Sequence, residues 1–534
     1  MECILDALNS LATLNFLTKR TMIEKFGMLA LMTILLVGIW LKYKFTYWQR
    51  RGLKVPPFSF YWKHMKAGLM LENAFADRDF NIYQEMKKMG VKHGGIYFVL
   101  TPFYVPMDLE LIKKMLQNDF NHFVDRGMYM NENDPLSTHL FNLPGNKWKL
   151  LRKKLSPTFT PGKMKMMFER LIECTGGMQK VMDKQIGNPV EIKEILSRFT
   201  TDIIVSCAFG LNCNSLENPD NEFRTRGRTL FLGKSFLFNL KWGLSFAIPS
   251  IYKFFNTKII SEKVTEFFSG VVKDTVTYRE KNNISRNDFL QLLIELKNRG
   301  QLLDDEKLVT EEISKEENKI TLDEIIAQAF LFFDAGLETS ATTGTYCLYE
   351  LSLHEDMQNK VRKEINSVLQ RYDGSLTYEA LGEMVYLDQV VTETLRKYPP
   401  LPSLPRICTK DYKVPGTDLI IKKGIRVVIP VFGIHRDPDY YPDPEKFDPE
   451  RFSEGNKNDV TYMPFGYGPR YCIGMRFGLL QTKVGLVALL KNYEFKVHPK
   501  TKEPLEFDPR IVNMSVKGEL WLEHKKCNNS DIVF

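Results

Sequence analysis

Paired cysteines are what this chain most plainly lacks. Its eight cysteines (Cys3, Cys174, Cys207, Cys213, Cys347, Cys408, Cys472 and Cys527) are scattered, with no CxxC pair and no regular spacing. That argues against a disulfide framework or a structural zinc site and leaves most of them as buried thiols in a reducing compartment. No Lys/Arg block interleaved with aromatics and no nucleic-acid motif is present. The formal net charge of +8 therefore suits an anionic membrane surface or an acidic protein partner, and nucleic acid is ranked low. No fixed-period repeat and no low-complexity tract occurs. What remains is ordinary globular composition, 44% hydrophobic and 26% charged, in 534 residues able to hold one large core or two ordinary domains.

One apolar run stands out near the start. Phe26 to Leu41 reads FGMLALMTILLVGIWL without a charge. At about 1.5 Å per residue it spans about 24 Å, slightly short of a hydrocarbon core of about 30 Å. Tyr43, Tyr47 and Trp48 are placed to complete the span in the headgroup zone. No small-x-small cleavage site follows, which sets aside a cleaved signal peptide. Lys42, Lys44, Arg50, Arg51 and Lys54 outnumber Lys19, Arg20 and Lys25 before the run, so the large C-terminal part is expected on the cytosolic side. Residues 22–48 are thus read as a membrane anchor and 49–57 as a basic and proline-rich hinge, stiffened by Pro56 and Pro57. Residues 1–21 are an extension of unknown role, and Met22 would itself serve as a start. A further apolar stretch, Phe231 to Phe255, reads as core helix or as a second membrane-touching surface.

The body reads as long helical patterns with short strand-like runs such as Gly95–Leu100 and Arg426–Val431. The clearest helix starts at Thr321, where Thr321 and Glu324 have capping-box spacing, and continues apolar to about Leu353. Its middle holds Asp334-Ala335-Gly336-Leu337-Glu338-Thr339. A mid-helix glycine costs about 1 kcal/mol against alanine, and a buried carboxylate costs more unless partnered, so something polar is expected to meet the helix there. Glu393 and Arg396 lie three apart on one helical face and can pair, although an exposed ion pair is the commonplace reading of that spacing. Phe465 to Gly474, FGYGPRYCIG, is a rigid loop leading into a helix with apolar positions at Ile473, Phe477, Leu480, Val484 and Val487. Cys472 therefore sits at a helix start, where unpaired N–H groups favour a thiolate. Gly468 and Gly474 would let a flat ligand approach the backbone. A thiolate in such a loop suits a soft metal or a haem iron, with a buried structural thiol as the alternative.

Together these segments resemble the cytochrome P450 family. The loop matches the family's FxxGxRxCxG pattern at every fixed position. The resemblance also covers Trp148-x-x-x-Arg152, AGLETS at Ala335–Ser340, Glu393-x-x-Arg396 and Pro449-Glu450-Arg451-Phe452, and it runs from the anchor almost to the C-terminus. DRG at Asp125–Gly127 and SPTFTPGK at Ser156–Lys163 are most similar to insect, xenobiotic-oxidising microsomal members. The resemblance implies a mainly α fold with small β-sheets, a single large catalytic domain over 58–534, and an N-terminal transmembrane helix. It implies haem b held by Cys472 as axial thiolate, with Phe465 and Gly474 in the loop around it. Arg126, Trp148, Arg152, Arg406 and Arg470 would bind the haem propionates, which suits Arg and an indole N–H. Ala335 and Gly336 would lie against the haem, and Thr339 and Glu338 would relay protons on its distal side. Glu393, Arg396 and Arg451 would form a buried structural network. Asp334 departs from the usual apolar residue and is expected to point into a hydrogen-bond network.

The activity implied is a monooxygenase of the endoplasmic reticulum membrane, its catalytic domain cytosolic. Electrons would come from NADPH through a membrane-bound reductase docking near Arg476 and Lys153, with cytochrome b5 as a further partner. Small apolar substrates are expected, with Phe330–Phe333, Met128–Phe141, Leu401–Leu404 and Ile511–Met514 lining the pocket. Two other readings stand beside it. One is a haem-thiolate isomerase or dehydratase acting on a peroxide without a reductase, against which the intact Glu338-Thr339 pair weighs. The other is a non-enzymatic membrane haem or ligand carrier.

Overall fold

The apolar run lies within one helix, Glu2–Phe45, whose Glu24–Phe45 portion is 22 residues with no buried residue in its most apolar window. By length and composition that portion can cross a membrane. The computed structural model describes residues 2–69, 72–231, 245, 249–302, 318–454 and 459–527. Most of the stretch read as a second membrane surface, residues 232–244 and 246–248, lies outside them. At its end Phe254 and Phe255 are exposed, with ring centroids 5.1 Å apart.

Trp48 corrects the expected extent of the anchor. It is not an interfacial residue but is fully buried in the body. Its backbone N–H donates to the Tyr97 hydroxyl at 3.1 Å and its indole Nε1–H to the Ile96 carbonyl at 3.3 Å. The ring lies so close to Gly95 that a Cβ there would fall 2.2 Å from it. An indole buries a large apolar face when its N–H finds an acceptor, and the edge of this sheet supplies one. The hinge begins with the short turn Gln49–Arg51 directly after it.

That sheet has four strands in the order His93–Phe98, Thr101–Pro106, Arg426–Ile429, Leu404–Ile407. The middle pair is parallel and the outer pairs antiparallel. Along Leu404–Ile407 burial alternates, so Arg406 points inward with Leu404. A second sheet joins Val190–Glu191, Trp521–Lys526 and Tyr493–Val497.

The larger, helical core is organised by Leu322–Leu353, a 32-residue helix whose capping box at Thr321 and Glu324 is fully formed. It packs against Ile192–Ala208 and Met475–Leu490. The aromatic run on this helix serves the core rather than lining an open pocket. Phe330 and Phe333 are buried against Phe268, and Phe332 stacks on Phe289 at 4.6 Å. Large rings on opposite helix faces fill interhelical space, which periodicity alone does not distinguish from cavity lining.

Candidate active site

The loop before helix Met475–Leu490 is pinched where the Cys472 N–H donates to the Phe465 carbonyl at 2.8 Å. Gly468 opens its one turn, Gly468–Arg470, at φ +70°, and a Cβ there would sit 1.9 Å from the Leu116 carbonyl oxygen. Close backbone packing therefore demands this glycine. A Cβ on Gly474 would meet only a Phe159 ring carbon at 4.0 Å.

Cys472 retains accessible surface, although protein surrounds its thiol densely. Burial pushes the thiol above its ordinary range, opposed by the Gly474 N–H and by the positive charges of Arg152 and Arg126. A coordinated metal deprotonates such a thiol outright.

Four arginines converge around this loop from four separate segments. Arg470 is buried, its guanidinium 4.1 Å from the Trp148 ring centroid, and it donates to the carbonyls of Val124, Leu140 and Leu143. Arg126 donates to the carbonyls of Phe141 and Arg470, each at 3.1 Å. Arg152 donates to the Tyr471 carbonyl at 3.0 Å. Arg406 donates to its neighbour Pro405, and its buried Nε has no hydrogen-bond partner. Burial lowers all four. It holds Arg406 near 10 and, with repulsion from Arg406, Arg470 near 9, while Arg126 falls well below its usual value through burial and then Arg406 and Arg470. Asp125, 3.8 Å from Arg470, is the one carboxylate that offsets this charge on Arg470. Arg406 and Arg470 are buried and Arg126 and Arg152 partly so, a cluster of positive charge that an anionic ligand would neutralise.

The polar middle of the long helix divides into two faces. Ala335 is exposed although its helix is otherwise deeply buried, and Thr339, one turn on, is half-buried with its hydroxyl donating to the Ala335 carbonyl at 2.7 Å. The next two carbonyls, of Gly336 and Leu337, accept from Gln481 at 3.1 Å and Thr200 at 3.1 Å. Three successive carbonyls thus carry side-chain donors, a loading that bends helices. Glu338 faces elsewhere. It is buried, paired with Lys193 at 3.1 Å, and accepts from Ser515 at 3.0 Å and Thr342 at 3.4 Å, while Lys193 also donates to Ser515.

Glu393 and Arg396, both 0% exposed, form a two-bond ion pair at 2.7 and 2.8 Å. Arg396 also donates to the carbonyls of His435 and Pro444, each at 2.8 Å. Arg451 lies 3.5 Å from Glu393 and donates to the Asp443 carbonyl at 2.9 Å. The spacing suggested the pair, and burial removes the surface reading.

Lys193, Ser515, Gln481 and His435 escaped the sequence reading, since each acts on a residue far away in the chain. The capping position Glu191, whose side chain accepts from the Glu194 N–H, is the one local signal near any of them.

The arginine cluster and Cys472 together fit an anionic cofactor whose metal accepts sulfur, as in a haem-thiolate protein. Comparison with known proteins narrows the class. A family model described as cytochrome P450 matches residues 58–522. Cytochrome P450 6a2 of Drosophila melanogaster is 41% identical over 493 residues, covering 90% of this chain and 95% of that protein. Cytochrome P450 6k1 of Blattella germanica is 42% identical over 494 residues, covering 90% and 94%. The chain belongs to the cytochrome P450 family. It is a P450 monooxygenase whose cofactor is haem b, supplied with electrons from NADPH through a reductase.

Proposed function

We propose that this protein is a membrane-anchored monooxygenase that inserts one oxygen atom from O2 into small apolar foreign compounds. The convergence of Arg126, Arg152, the Gly474 N–H and the Cys472 thiol in one place carries the reading. Cys472 would ligate the iron, while Arg126, Arg152, Arg406 and Arg470, with Trp148 beneath Arg470, would hold the propionates. Haem b, when bound, supplies the activation of dioxygen. Ala335 would leave room for the ring with its small side chain, and the Thr339 hydroxyl holds a proton at Oγ1 that its Ala335 partner orients. Glu338, turned to the other face in its pair with Lys193 and Ser515, would hold the polar middle of the helix in place rather than reach that hydroxyl. Glu393, Arg396 and Arg451 hold the loop's surroundings. The helix Glu24–Phe45 would anchor the protein in the endoplasmic reticulum membrane with the body cytosolic, in line with the cationic excess after it. The exposed Lys153 and Arg476 would meet an acidic reductase surface, and cytochrome b5 would use the same face.

The test uses full-length protein in membranes with an NADPH reductase. The ferrous carbon-monoxide complex should show the long-wavelength band of a thiolate ligand, lost in Cys472→Ala and kept in Thr339→Ala, while Thr339→Ala loses product formation. Persistence of the band in Cys472→Ala overturns the ligand assignment, and product formation without NADPH and reductase overturns the monooxygenase reading.

A further inference from the structure

The geometry points to His435 as the positioning residue that couples the Glu393–Arg396 pair to the Cys472 loop through a neutral imidazole of one fixed tautomer.

His435 ends the short helix Val431–His435 and is fully buried. The backbone N–H of Met463 donates to its Nε2 at 2.9 Å. A nitrogen that accepts from an amide carries no proton, so in the neutral ring the proton sits on Nδ1. Nδ1 lies 3.1 Å from the Arg396 carbonyl, an acceptor, so both contacts require the same tautomer. In return, the Arg396 guanidinium donates to the His435 carbonyl at 2.8 Å. The two residues therefore hold each other, backbone to side chain in both directions.

From Met463 the linkage runs into the loop. The Met463 carbonyl accepts from Gly466 N–H at 3.0 Å, and the Phe465 carbonyl accepts from Cys472 N–H at 2.8 Å. The imidazole is held flat between neighbours, stacked on Tyr462 with centroids 5.7 Å apart and planes 9° apart, and edge-on to Tyr441. Tyr462 is itself tied to the Thr392 carbonyl beside Glu393 at 3.2 Å. The ExxR pair thus touches the cysteine loop through His435, while its own ligands, the carbonyls of His435 and Pro444, lie outside that loop. This explains how a buried ion pair with no direct contact to Cys472 bears on the ligand. The inference rests on the reading of Cys472 as the haem ligand.

Two conservative variants separate the two bonds of the imidazole. In His435→Asn the amide nitrogen takes the place of Nδ1 and keeps the Arg396 contact, but Met463 N–H loses its acceptor. In His435→Gln the side chain reaches far enough to accept from Met463. One orphaned buried amide corresponds to roughly a tenfold shift in a local equilibrium. The share of long-wavelength carbon-monoxide band should therefore fall roughly tenfold in the Asn variant relative to the displaced-ligand form. The Gln variant keeps the Met463 bond but gives up the Arg396 contact, so it should recover part of the band and not all of it, with both showing similar global unfolding midpoints. A purely packing role would lower both equally, and equal loss, or full retention in Asn, overturns the proposal. Hydrogen–deuterium exchange of wild-type holoprotein adds a reading that needs no variant. The Met463 amide should be as protected as the helix Val385–Lys397, and rapid exchange overturns the proposal. Cys472→Ala separates the two claims, since it removes the thiolate band whatever His435 does.

Discussion

The ammonium of Lys193 lies 3.1 Å from the Glu338 carboxylate, joining residues 145 positions apart at the polar centre of the longest core helix. Ser515 and Thr342 donate to the same carboxylate oxygen, Oε1, so a charge buried beside apolar packing is met by a cation and two hydroxyls.

Removing one partner of such a pair strands the other. Lys193→Met is expected to cost about 3 kcal/mol in unfolding free energy, the lower end of the range for broken buried pairs because Lys193 keeps some exposure. Glu338→Gln in the same chain should recover part of that loss. Urea denaturation of the single and double variants measures the coupling, and strict additivity would remove the pair from the account.

The arginine cluster yields two effects of opposite sign. Arg406→Met relieves repulsion on Arg126 and Arg470, so the apoprotein should become more stable, by about 1 kcal/mol. The same change removes a propionate partner, so haem transfer to an acceptor protein should speed up. Thermal melts of apoprotein and haem-loss rates check each arm, and faster loss with a destabilised apoprotein would contradict the charge argument.

Acid should destabilise the fold early. Burial, then the charges of Arg396 and Arg126 respectively, pushes His435 and His139 down to about 3 from the 6.5 they have unfolded. His435 faces Arg396, Tyr441 and Tyr462, and His139 faces Arg126, Phe141 and Asn142. Between these values the unfolded chain binds protons that the folded one refuses, so stability is complete above about 6.5 and falls as pH drops toward 3. From pH 7 to 5 the two together should remove about 4 kcal/mol. Denaturation midpoints flat over that window would contradict the assignment.

Deletion of residues 1–44 keeps Phe45 against Phe58 and Tyr97 and should leave the unfolding free energy of the body unchanged. Deletion of residues 1–51 removes Trp48 from its place against Gly95 and should cost about 3–5 kcal/mol. Equal stability of the two truncations would return Trp48 to the membrane anchor.

What was legible in the chain divides along a physical line. The capping box at Thr321, the uncharged run before Lys42, the glycine–proline loop at Cys472 and the three-residue step from Glu393 to Arg396 were all read correctly as local elements. Each depends on residues within a few positions, where backbone geometry alone decides what can touch. The rest was settled by packing. Trp48 reads as an interfacial aromatic until the sheet edge at Ile96 offers it an acceptor, and Phe330 and Phe333 read as pocket lining until Phe268 closes over them. The direction of Glu338 and the tautomer of His435 are equally invisible in sequence, because their partners lie tens to hundreds of residues away, whereas the gathering of four arginines was expected from the family resemblance. Sequence by itself determined the family and, with it, the cofactor. Tertiary structure alone decided which buried charges meet, since desolvation makes each of them acceptable only beside a partner brought there by the fold.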